Sequence, residues 1–152
     1  MTEEMFRKQQ FESVIGAAYK EQIGKDLYEA VEANDKEKVE LLLELGADPN
    51  YNRTGEFDIS SVLTISVTNE NLEIVKLLVA NKAQIHWRDF SETTAIIFAA
   101  GFGNMDIVKF LIANGANIRD TNRNGITVLD AAKQSKNKKL IAFIEKELKK
   151  SR

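Results

Sequence analysis

The chain has 152 residues, 43% apolar and 29% charged, with a formal net charge of −2. That is enough for one domain with a core of its own, and no charge excess selects nucleic acid or an acidic surface as partner. It contains no cysteine, which excludes disulfides and thiolate chemistry, and no apolar run of membrane-spanning length.

The charge is unevenly spread. Residues 1–50 carry 6 basic and 12 acidic side chains, a net of −6, while residues 133–152 carry 8 and 2, a net of +6. The first twelve residues, MTEEMFRKQQFE, lack the uninterrupted apolar stretch of a signal peptide. A cytoplasmic protein is therefore expected. Export by a route without a cleaved signal would leave no mark of this kind.

Residues 2–24 predict a separate helix, because Phe11, Val14, Ile15, Ala18 and Tyr19 recur at helical spacing with charges between them. Its expected role is an amphipathic cap over the open end of the domain, with a binding or chain-exchanging arm as the alternative. The next helix starts at Leu27, Ala30 and Val31 and stops at Asn34. A second runs through Val39, Leu41, Leu42 and Leu43. Gly46 ends it in the left-handed conformation and Pro49 prevents its continuation.

Further along, a helix start at Ser61-Val62-Leu63 is followed by an apolar stripe at Ile74, Val75, Leu77 and Leu78. The same pair returns as Thr94-Ala95-Ile96 with Ile107, Val108, Leu111 and Ile112. It returns again as Thr127-Val128-Leu129 with Leu140, Ile141, Ile144 and Leu148. The three copies lie 33 residues apart, and the second unit carries three additional residues within 51–60, ahead of its first helix. One helix pair per period of this length predicts a stacked-repeat solenoid. Ser61, Thr94 and Thr127 each precede an apolar helix start, where a hydroxyl can accept from an orphan N–H. Asn124-Gly125 predicts a hairpin turn. Gly103 and Gly115 mark left-handed turns, and in register Glu70 and Lys82 occupy the same positions in the second unit. The lysines of the last helix read as a solvated face.

GITVLDAA at 125–132, TTAIIFAAGFGNMDIVKFLIANGANI at 93–118, NLEIVKLLVANKAQI at 71–85 and VELLLELGADPN at 39–50 together resemble the ankyrin repeat. The resemblance covers residues 26 to about 148. It implies an all-α repeat solenoid of stacked helix–turn–helix units with short β-hairpin loops. The expected domains are an N-terminal capping helix over 1–25 and a repeat domain over 26–152. The repeat domain is divided into units at 26–50, 51–86, 87–119 and 120–152, the last a C-terminal cap. The family's T-P-L-H motif has lost its proline, replaced by Val62, Ala95 and Val128, and its histidine, replaced by Thr64, Ile97 and Asp130. Ile97 is then left to packing, and Asp130 needs a donor.

Little suggests chemistry. His86 stands alone in a loop segment, and Gly101-Phe102-Gly103-Asn104 lacks the further glycine and the lysine of a phosphate loop. The expectation is no catalytic residue, no metal, no cofactor and no small-molecule substrate. The resemblance instead implies a non-catalytic protein-binding module, an adaptor, scaffold or regulator. It would use a concave face of hairpin tips and first helices. On that face the expected partner-binding residues are Phe57, Trp87, Arg88, Phe90, Phe102, Arg119 and Arg123. They include the only tryptophan and three of the six arginines. Self-assembly through the N-terminal helix, or inhibition of a specific enzyme or toxin, are the alternatives. A monomer, with an unidentified protein partner and no nucleic acid, is expected.

Overall fold

The computed structural model describes residues 2–51 and 60–150. These form eight helices: α1 (Glu3–Glu32), α2 (Lys36–Glu44), α3 (Val62–Thr68), α4 (Leu72–Ala80), α5 (Ala95–Gly101), α6 (Met105–Ala113), α7 (Val128–Ser135) and α8 (Lys138–Lys150). The odd-numbered helices pack one on the next, each also against its own even-numbered partner, so the molecule is a two-layer stack of helix pairs. The core runs through the stack as one continuous cluster. Ile74, Val75, Leu78, Ile107, Val108, Leu111, Leu140 and Ile144 are completely buried. Leu77, Ile112, Ile141 and Leu148 of the expected stripes are only partly buried, because they sit at the stripe edges. The close first-helix layer requires small side chains, and Ala99, Ala100, Ala131 and Ala132 supply them.

Backbone conformation follows the repeat. Asn34, Glu70, Gly103 and Lys136 all have positive φ after a first helix, and Gly46, Lys82 and Gly115 do so after a second. Glu92 and Gly125 form a third such set, 33 residues apart in the hairpins. The left-handed region costs a side-chain-bearing residue about 1 kcal/mol more than glycine, and glycine's larger unfolded-state entropy returns part of it. Glu70→Gly and Lys82→Gly are each expected to raise stability by roughly 0.5 kcal/mol. Chemical denaturation would read this as a higher midpoint at unchanged slope. A lower midpoint for both would show that these side chains hold the turns by other means.

At the helix starts the expected hydroxyl caps are two of three. Ser61 accepts from the amide of Thr64, and Thr127 accepts from that of Asp130. Thr94 does not cap: the amide of Ile97 donates to the Thr94 carbonyl instead, leaving the buried Thr94 hydroxyl without a partner. Asp130 finds its donor at Thr127, whose backbone and side chain both donate to its carboxylate at 3.1 and 2.8 Å. These bonds, the backbone one foremost, hold the carboxyl below its ordinary pKa.

Of the second helices, α2 is capped by Asp35 and the other three by asparagines. Asn71, Asn104 and Asn137 each accept from an amide three residues on. Each also donates from its side-chain amide to the turn of the preceding unit. Asn71 reaches Asn34 Oδ1 at 2.8 Å, Asn104 reaches Glu70 Oε1 at 3.5 Å, and Asn137 reaches the Gly103 carbonyl at 2.8 Å. One residue type thus ends a turn, starts a helix and joins two units. It provides inter-repeat bonds despite the missing histidine.

Two expectations change. No strand forms among the described residues; the last hairpin closes with a single antiparallel bridge, Thr121 to Thr127. Its turn is held by the Asn122 side chain, which accepts from the amides of Asn124 and Ile126 and so takes donors a ladder would use. Nor is the N-terminal segment a separate capping helix: it is the first part of the 30-residue α1, and the expected boundary at residues 25 and 26 falls within that helix. Ile23, Gly24, Leu27, Tyr28, Ala30 and Val31 form its buried face. The apolar stripe of Phe11, Val14, Ile15, Ala18 and Tyr19 continues, at steps of three and four, to Gln22, Lys25, Asp26 and Glu29. That is the face turned away from the stack, so the stripe does not cover the first unit. At the junction Gly24 is required, since a Cβ there would lie 2.3 Å from the Tyr51 ring. The Tyr51 hydroxyl donates to Glu21 at 2.8 Å.

Candidate protein-binding surface

The surface around α5 is built from three segments: the loop of 87–94, α5 itself, and the loop of 120–127 that precedes α7. Asp89 shapes the first loop by accepting from the amides of Ser91 and Thr93, both at 2.8 Å. Asn122, 33 residues later, shapes the second in the same way. The two loops are then tied side by side, as the Arg123 amide donates to the Ser91 carbonyl at 2.8 Å. Together they form a firm edge rather than two independent tips.

Between α5 and α7 this edge opens into a shallow cleft of about 270 Å³. Ile97, Phe98, Phe102 and Ile126 give it apolar walls, and Thr93, Asn122 and Gln134 add polar groups at its border. Gly101 and Ala131 keep its floor low. Phe102 is 50% exposed and Phe90 is 62% exposed, so both rings present most of a face to solvent. Exposed aromatic rings cost solvation and offer large contact area at small conformational-entropy cost, which suits a recognition surface.

The structure separates the sequence-derived candidates. Phe102 lines the cleft, and Phe90 lies in the adjoining loop. Arg123 is exposed, with its guanidinium 3.9 Å from the Glu92 carboxylate, a loose surface pair that contributes little. Trp87 is half-buried. Arg88 is engaged within the chain: it donates to the Glu92 and Thr121 carbonyls at 2.8 and 3.0 Å and to the buried Asp120 carboxylate at 3.0 Å. Arg119 points elsewhere, donating to the Leu148 carbonyl in α8 at 2.9 Å. Phe57 lies outside the described residues. Ile97 and Phe98, absent from the candidate set, prove to be cleft walls. The signal was Ile97 itself, an apolar residue where the motif has histidine.

No helix among the described residues is long and apolar enough to cross a membrane. A family model described as ankyrin repeats (3 copies) matches residues 27–122 and 63–150. No curated protein matches the chain.

Proposed function

The chain belongs to the ankyrin-repeat family, whose repeats are generally protein–protein interaction modules, and we propose that it is an adaptor, scaffold or regulator that binds a protein through the α5–α7 surface. The observation that carries this reading is the exposed Phe102 ring lining an apolar cleft on a firm two-loop edge, with a second exposed ring, Phe90, in the loop that supplies Thr93 to the cleft. In the proposed contact, a partner's apolar side chain enters the cleft against Ile97, Phe98 and Ile126, with Phe90 and Phe102 closing over it. Arg123 offers a charged rim contact, and Trp87 supports the loop from its half-buried position. Arg88 and Arg119 drop out of the contact set, since their guanidinium groups serve intramolecular bonds.

Removing two central aromatic contacts of a recognition surface commonly costs about 2 kcal/mol or more, roughly thirtyfold in affinity. A partner captured by the wild-type chain should therefore bind Phe90→Ala/Phe102→Ala at least about thirtyfold more weakly by calorimetry. Both side chains are largely solvated, so the double variant should unfold at nearly the wild-type temperature. A partner held equally by both proteins would sink this placement of the site. Self-assembly through α1 would use a different surface and leave this one open.

A further inference from the structure

The first twenty residues of α1 extend for about 30 Å with hardly a buried side chain. On them lies a stripe of Phe11 (66% exposed), Val14 (67%), Ile15 (52%) and Tyr19 (50%), with Ala18 between. Its phase puts it opposite the face by which the same helix enters the stack. A stripe of this composition, on a chain with an otherwise well-buried core, is a surface in want of a partner.

We propose that the partner is a second copy of this chain, its α1 lying antiparallel along the first. The two-fold axis would pass between Val14 and Ile15. The sequence along the stripe is self-complementary in that arrangement. Val14 meets the partner's Ile15, and Phe11 meets the partner's Ala18, a large side chain over a small one, twice per dimer. Toward the ends, Glu4 meets the partner's Lys25 and Lys8 meets the partner's Glu21, two opposite-sign contacts per half that outnumber the one like-sign contact, Glu3 with the partner's Asp26. A parallel pair would set Glu4 on Glu4, Lys8 on Lys8, Glu21 on Glu21 and Lys25 on Lys25, and is disfavoured for that reason.

The existing bonds leave room for the pairing: Glu21 accepts from the Tyr51 hydroxyl at 2.8 Å on one carboxylate oxygen, which leaves the other for the partner's Lys8. Arg7–Glu3 and Lys25–Glu21 are exposed pairs within the helix, at 2.8 and 3.4 Å, which cost little to rearrange. The exposed stripe amounts to roughly 400 Å² per copy, about 800 Å² for the pair before the stems of flanking charges are added. That is the low end of specific interfaces, so the dimer is reversible and concentration-dependent. It draws on no residue of the α5–α7 surface.

Sedimentation velocity of the full chain, from low to several hundred micromolar, tests this. The wild type should shift from monomer to dimer across that range. Phe11→Glu should weaken the dimer by at least about tenfold, since it places a carboxylate against the partner's Ala18 at the centre. Glu4→Lys and Lys25→Glu should each weaken it about threefold, and the double variant should return to within about twofold of wild type. The Phe90→Ala/Phe102→Ala protein should dimerise as wild type does, which separates this result from that for the α5–α7 surface. A chain monomeric throughout, or a dimer that Phe11→Glu leaves intact, overturns the proposal. So does a double charge variant no tighter than its singles, which would reject the antiparallel register.

Discussion

Arg88→Ala is expected to destabilise the fold by about 2 kcal/mol, measured as a lower denaturant midpoint with little change in slope. A single guanidinium joins three acceptors on two neighbouring loops: the Glu92 and Thr121 carbonyls and the Asp120 carboxylate. Asp120 is 6% exposed, so truncation strands a desolvated charge next to an unpaired carbonyl. Arg88 itself is 41% exposed, and water can enter behind it, which keeps the expected loss well below that of a fully buried pair. Arg88→Lys should recover less than half, because an ammonium on a flexible stem cannot present the planar fork that spans all three sites. A midpoint unchanged by Arg88→Ala would mean that these bonds add nothing net, and would restore Arg88 to the set of contact residues.

The second large effect falls on the joint between the last two units. Asn137→Ala removes the cap of α8, where its Oδ1 accepts from the Leu140 amide at 3.1 Å. It also removes the donor to the Gly103 carbonyl at 2.8 Å. A lost cap costs about 1 kcal/mol and a part-buried hydrogen bond about 1 more, so roughly 2 kcal/mol is expected. Asn137→Asp keeps the cap, and its charge suits a helix N-terminus, but it cannot donate to Gly103. It should therefore lose about half as much as alanine. Because each unit touches only its neighbours, the damage should be local. Amide exchange in α7 and α8 would accelerate in Asn137→Ala before that in α3 and α4. Equal losses for alanine and aspartate would show that the inter-unit bond carries the whole effect.

Different parts of the molecule are legible in the sequence to different degrees. The repeat spacing is plain because two local signals recur together, an apolar 3.6-residue period and a left-handed turn. Glu70 and Lys82 keep positive φ even without glycine, because flanking helices packed in the stack override one residue's preference. The Thr94 cap fails where the third helical residue is the apolar Ile97, whereas the hydroxyls of Ser61 and Thr127 also bond the side chains of Thr64 and Asp130 at that position. The end-covering role expected for α1 fails for a different reason. Its periodicity is that of a helix, as expected, but periodicity within one helix does not tell which face the rest of the chain will cover.

The candidate surface shows the same limit. Phe90 and Phe102 have no place to be buried within their unit, and they are exposed. Arg88, Arg119 and Arg123 look alike as loop arginines, yet the structure gives them a buried carboxylate, a helix-end carbonyl and a loose surface pair. Arg88 bonds the nearby Glu92 carbonyl, but its other acceptors, Thr121 and Asp120, and the Leu148 acceptor of Arg119 lie about thirty residues away.

The sequence by itself determined the helix pairs, their turns, the buried rows and the stacked class, because backbone angles and apolar periodicity are set by neighbours within a few residues. Only the tertiary structure decided which polar side chains join one unit to the next and which apolar ones face solvent. Those outcomes depend on distances between atoms a full repeat apart, and on the phase with which α1 enters the stack.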